Sequence, residues 1–184
     1  MLGNVAPKGL PVPIRYQFLG SACVPTCILM IIEYLNNNLL SEKIQGLGVS
    51  QIGEVVEIQR TGTDLEKVRN LNKDSRILTA VPSVEFDARK ISRERTDIDE
   101  DLKARLPCIA WLVFGEGLEE RCHAVVITEV NSLADEVSYV DPYDGFTSES
   151  LMAFARKWQR ADRWLVRVVF GRRETRVIEE YPQA

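Results

Sequence analysis

The sequence predicts an α+β fold, with a helical first half and an antiparallel, strand-rich second half. Three observations predict it. Up to residue 75 the apolar residues recur at helical spacing, with Ser, Thr and Pro placed where helices start. Beyond residue 108 the apolar residues fall in short runs separated by turn residues. No internal repeat, low-complexity segment or linker interrupts the chain, and 184 residues suit one domain with a proper core. The expected organisation is one domain over 1–184, with an irregular segment at 1–15 and a tail at 172–184.

The elements follow in order. Pro7, Pro11 and Pro13 keep the N-terminal segment irregular. Ser21 is placed to cap a helix over 22–36, and Pro25 falls in its first turn, where a missing N–H is tolerated. Val24, Cys27, Ile28, Ile31, Ile32 and Leu35 make most of this helix apolar, so it is expected to be central and buried. A second helix starts at Ser50 and carries Ile52, Val55 and Val56. A third opens at Thr63, where Glu66 completes a capping box. Residues 76–88 read as extended, 89–101 as charged and exposed, and 98–105 as a helix that ends before Leu106-Pro107. Ile109 to Phe114 is an apolar run that reads as a buried strand. After a turn at 115–120, His123–Val130 and Glu136–Val140 form a hairpin through residues 131–135. Ser148 caps a helix reaching Arg160, and Trp164–Phe170 is the last strand.

Composition narrows the function classes. With 45% hydrophobic and 27% charged residues the chain reads as soluble and globular. A net charge of −4 argues against a nucleic-acid partner, which needs concentrated positive charge. Arg163, Arg167, Arg172, Arg173 and Arg176 are interleaved with apolar and acidic residues and read as a solvated face. The apolar runs are too short for a bilayer span or a signal-peptide core, so no membrane insertion is expected. The expected location is the cytoplasm, with signal-independent export left open. Cys23, Cys27, Cys108 and Cys122 would allow two disulfides or a zinc site. The lack of CxxC pairs and of a secretory signal favours free thiols and no metal.

One group of residues points to chemistry. Cys23 lies in the first turn of the predicted central helix, where unpaired N–H groups and the helix dipole favour a thiolate. His123 is the only histidine of the chain, hence the only available imidazole base. Asp141 ends the strand that pairs with the His123 strand, and Pro142 pushes it toward an extended conformation. A hairpin places the two at the same end, where the carboxylate can fix the imidazole tautomer. Gln17 precedes Cys23 closely enough for its side-chain amide to join the Cys23 N–H in holding an oxyanion. Taken singly, each has a plain structural reading: a thiol packing a helix start, a core or surface imidazole, the first residue of a DPYDG turn, an exposed loop amide. Together, in this order, they supply a nucleophile, a base, an orienting group and an oxyanion donor.

These residues resemble the papain-like peptidases that process bacteriocin and peptide precursors after a double-glycine leader, and their stand-alone relatives. The segments QFLGSACVPTCILMII, GTDLEKV, LPCIAWLV, HAVVITEV, YVDPYDG and SESLMAFARKW carry the resemblance over most of the chain. It implies a papain-like fold with the Cys-bearing helix packed on an antiparallel sheet. It implies Cys23 as nucleophile, His123 as general base and acid, Asp141 as orienting group and Gln17 as oxyanion donor. No cofactor is implied. The substrate would be a peptide or protein, and a role in leader processing would call for a separate transporter or secretion machinery as partner. One departure stands out: Val24 occupies the position after the nucleophile, where the family usually has glycine, and a branched side chain there would crowd the substrate or reshape the cleft, which bears on double-glycine specificity more than on thiol chemistry. Two alternatives remain open. One keeps the machinery in a toxin or effector that performs deamidation or transglutaminase-type acyl transfer, and the other is a non-catalytic module that grips a peptide.

Overall fold

A computed structural model describes residues 9–40, 47–60, 62–91 and 96–170. Six strands form one sheet in the order β1-β6-β2-β3-β4-β5, and every neighbouring pair is antiparallel. The strands are β1 (Val84–Lys90), β2 (Cys108–Phe114), β3 (Arg121–Asn131), β4 (Glu136–Asp141), β5 (Gly145–Ser150) and β6 (Trp164–Phe170). The helices are α1 (Cys23–Asn38), α2 (Val49–Val55), α3 (Ser75–Ala80), α4 (Thr96–Lys103) and α5 (Leu151–Arg160), with a 3₁₀ helix at Leu65–Lys73. Helices cover both faces of the sheet, which explains why β2 and the middle of β3 are buried on both sides.

Two apolar clusters sit on these faces. One gathers α1, α2 and the 3₁₀ helix against Ile109, Trp111, Ala124, Val126 and Val140. The other gathers Ile98 of α4 and Leu151, Phe154 and Trp158 of α5 against Ala110, Leu112, Val125, Ile127 and Tyr139. The alternation along β2 and β3 assigns neighbouring residues to opposite clusters, as the period of two requires. Two contacts set the direction of α1. The Cys27 thiol meets the Ala124 carbonyl at 3.3 Å, and the Tyr34 hydroxyl donates to the Arg105 carbonyl at 3.0 Å, just before β2. Because β2 runs against β3, the C-terminal end of α1 lies near the end of β3 and its N-terminus near the start.

Several expectations shift. The central helix begins at Cys23, with Ala22 as N-cap and no side-chain cap, so Ser21 does not cap it. The capping residue of the 3₁₀ helix is Asp64, which accepts from the Glu66 N–H, rather than Thr63. Residues 76–88 are not extended throughout. Asp74 accepts from the Arg76 N–H and starts α3, and only from Val84 does a strand run. The second helix opens after Gly48, where Gln51 accepts from the Gly48 N–H, rather than at Ser50. A strand that the sequence reading left out, β5, occupies 145–150, so α5 is capped by Ser150 and not by Ser148. The stretch 89–101 is not wholly exposed: Asp101 is buried and takes a two-pronged ion pair from Arg167, both bonds 2.6 Å. Arg167 therefore does not belong to a solvated face, and Arg172, Arg173, Arg176 and the expected tail at 172–184 lie outside the described residues. The last strand spans Trp164–Phe170 as expected. Among the described residues no helix is long and apolar enough to cross a membrane.

Candidate active site

The site forms where α1 begins and β3 and β4 come apart. Ladder pairing of β3 with β4 runs from Asn131↔Glu136 to Val126↔Val140. Past that point His123 and Asp141 meet through their side chains, with His123 Nε2 at 2.7 Å from Asp141 Oδ1. Asp141 is held in turn. The same oxygen accepts the Tyr143 N–H at 2.6 Å and the Asp144 N–H at 3.3 Å, an Asx-type turn that locks the carboxylate toward the imidazole. Gly145 closes this turn with φ +82°, a conformation that a side chain would strain, and a Cβ there would also press on the Tyr16 hydroxyl at 3.2 Å.

Cys23 is the first residue of α1 and is buried, with 5% exposure. Its sulfur acts on the His123 ring electrostatically and favours the charged imidazole. Since Nε2 is engaged by Asp141, Nδ1 is the nitrogen left to face the sulfur. The imidazole is thus gripped from both edges. Burial works against its charged form, but the Asp141 hydrogen bond and the Cys23 sulfur outweigh it and raise the His123 pKa to about 9. Burial likewise works against the Asp141 carboxylate, and the His123 hydrogen bond and charge with the two backbone N–H groups bring its pKa below the ordinary value.

Gln17 sits on the segment leading into α1. Its backbone N–H donates to the Pro142 carbonyl at 2.8 Å, which ties this segment to the Asp141 turn. Its side-chain Oε1 is buried without a hydrogen-bond partner among the described residues. The structure therefore brings Cys23, His123 and Asp141 together, with Gln17 fastened beside them. Val24 is fully buried among α1-face residues, so its branched side chain packs the core and does not crowd the opening.

All four cysteines are unpaired. Cys27 and Cys108 are buried, and burial pushes both thiols well above the ordinary range. Cys122 is exposed, its pKa raised by partial burial and then by Glu120 and Cys23. Among the described residues no cluster of His, Cys, Asp and Glu is arranged to hold a metal ion. A feature that sequence reasoning missed is Phe114. Its ring stands nearly perpendicular to the His123 imidazole, centroids 6.1 Å apart. The strand pairing Leu112↔His123 puts Phe114 diagonally across from the histidine, but nothing local singles it out of an apolar run.

No protein-family profile matches the chain, and no curated protein matches it in sequence. Solved structures do match. The peptidase domain of Streptococcus ComA, a bi-functional ABC transporter involved in quorum sensing, superposes with a TM-score of 0.58 at 15% identity, covering 86% of this chain and 96% of that one. A double glycine motif protease from an AMS/PCAT transporter, in complex with its leader peptide, gives 0.56 at 16% identity, covering 88% and 92%. A C39-like peptidase from Bacillus anthracis gives 0.62 at 11% identity, covering 87% and 95%. The chain has the fold of these cysteine peptidase domains, with its cysteine at the start of the first helix, as the sequence resemblance implies.

Proposed function

We propose that the protein is a cysteine peptidase-like hydrolase acting on a peptide or protein substrate. The observation that carries this reading is the His123 ring held between the Asp141 carboxylate, 2.7 Å away, and the Cys23 thiol. The elevated imidazole pKa suits a ring that carries the proton the leaving amine needs. The Cys23 thiolate attacks the substrate carbonyl. The oxyanion that develops takes hydrogen bonds from the Cys23 N–H and from the side-chain NH₂ of Gln17. His123 gives its proton to the leaving amine. It then draws a proton from water, which attacks the thioester and frees Cys23. Asp141 holds the ring in the one orientation that serves both steps.

Several facts support the substrate class. Phe18, Leu19 and Tyr143 stand 97%, 66% and 72% exposed on the segments flanking Cys23 and Asp141, and suit the side chains of a peptide. Val24 is buried, so its side chain leaves the cleft open to substrate. A role in leader processing would pair the chain with a separate transporter or secretion machinery. The test is the product. Mass spectrometry of a treated proteome should show new peptide termini that vanish with Cys23→Ala. Side-chain amides turned to acids without backbone cleavage would instead assign deamidation. Full turnover by Cys23→Ala would overturn both.

A further inference from the structure

Beyond the four residues that carry the proposed chemistry, a second set of contacts leads to the imidazole from the opposite side of the sheet. Phe114 closes β2 and stands edge-on to His123. Lys157 of α5 places its ammonium 4.6 Å from the Phe114 ring centroid, inside the range of about 6 Å for a cation over an aromatic face. Lys157 is itself held by Glu149 of β5 at 2.7 Å, and the other Glu149 oxygen accepts the Tyr139 hydroxyl of β4 at 2.9 Å. The run Tyr139–Glu149–Lys157–Phe114–His123 thus draws on five elements.

We propose that Phe114, gripped by Lys157, is a positioning residue that fixes the plane of the His123 ring. The inference rests on the peptidase reading for its purpose, but on geometry for its content. The imidazole must aim Nε2 at Asp141 and Nδ1 at Cys23 at once, and only one ring rotation does both. Perpendicular packing is a preferred arrangement of neighbouring rings, so Phe114 favours one plane over others. A bare cation so near would disfavour an imidazolium, and Glu149 offsets that charge, leaving Lys157 to hold the phenyl ring without repelling His123.

Because the chain has a single histidine, the experiment needs no assignment. In proton NMR the low-field Nε2–H resonance belongs to His123 alone. It is expected to be sharp in the native protein and in Phe114→Tyr, and broadened by exchange with water in Phe114→Ala and Phe114→Leu. Carbamidomethylation by iodoacetamide, read at Cys23 by mass spectrometry, should slow about tenfold in the Ala and Leu variants and recover in the Tyr variant. Lys157→Met, which keeps the stem and removes the charge, should shift both readouts in the same direction by less. The proposal is overturned if Phe114→Leu matches the native protein, since bulk would then suffice. It is also overturned if Phe114→Ala lowers the melting temperature and leaves both readouts in place. Should Phe114→Ala not fold, the Leu and Lys157→Met variants decide. A sharp resonance in a protein that cleaves nothing would sink the peptidase reading and leave the positioning role standing.

Discussion

The two faces of the sheet hold the two proposed reacting groups by different physics. On the α1 face the thiol rides on a helix whose buried residues are almost all apolar, among them Val24, Cys27, Ile28, Ile31 and Leu35. On the other side the imidazole is reached by directed contacts: the Asp141 carboxylate, the Phe114 ring and the ion pair of Lys157 with Glu149. Packing fixes where a helix starts, to within the tolerance of a well-filled core. It cannot choose a ring rotation, which needs hydrogen bonds with fixed angles. The nucleophile needs only a location and the base needs an orientation, and the two faces differ accordingly.

This contrast can be broken at several points. The largest expected effect on stability is Ile31→Ala, at a fully buried site on α1, which should cost about 2–5 kcal/mol in denaturant unfolding. The pH dependence of activity should stay where it was, because no polar contact to His123 changes. Asp101→Ala removes one half of the buried pair with Arg167 and should cost about 3 kcal/mol, again without moving the pH profile. A shifted profile in either variant would mean that the two faces are not independent.

Asp141→Asn should do the reverse. It is expected to cut kcat/KM by about a hundredfold or more and to change the unfolding midpoint little by comparison. It should also lower the His123 pKa from about 9, so that activity is lost at a lower pH on the alkaline side. The sign for stability follows from the same shifts. The raised His123 pKa gives a contribution that is complete below its ordinary value of 6.5 and fades as pH rises through about 9. The lowered Asp141 pKa gives one that is complete above its ordinary value of 3.8 and fades as pH falls further. Titration of native stability against Asp141→Asn should show the difference greatest between these two ordinary values. The smallest effect is Ser150→Ala, which removes the hydroxyl that accepts the Ala153 N–H and should cost about 1 kcal/mol by thermal melting.

The parts of this design that sequence could show were those with a local signature. The β3–β4 hairpin has period-two alternation, a short connection and an Asp-Pro end, so the meeting of His123 with Asp141 could be counted out in advance. The apolar stripe of α1 was equally plain. Two short elements escaped. In α3, six residues hold Ile77, Leu78 and Ala80 in a spacing that also fits a strand, and the deciding signal is the Asp74 side chain on the Arg76 N–H. In β5, an edge strand of sequence GFTSES has one large apolar residue, Phe146, and its pairing with β4 supplies what its composition does not. Arg167 was misread for another reason. Its partner Asp101 lies 66 positions away in a stretch of charges, and no local pattern distinguishes a buried acid from solvated ones. Val24 was misjudged because the first turn of a helix points some side chains at the core and others at the opening, and sequence does not reveal which.

The strand order has a consequence for how such a chain comes into being. Among the described residues β1 joins the sheet only through β6, the last strand in chain order. A ribosome that has released residues up to 163 has therefore delivered every proposed reacting group but not the strand that unites β1 with β2. The 3₁₀ helix of 65–73, tied to β1 by Asn72 on Phe86 and packed against α1 through the shared core, must wait with it. Closing the α1 face thus waits on the pairing of Val84–Lys90 with Trp164–Phe170, strands far apart along the chain, and such non-local contacts form slowly.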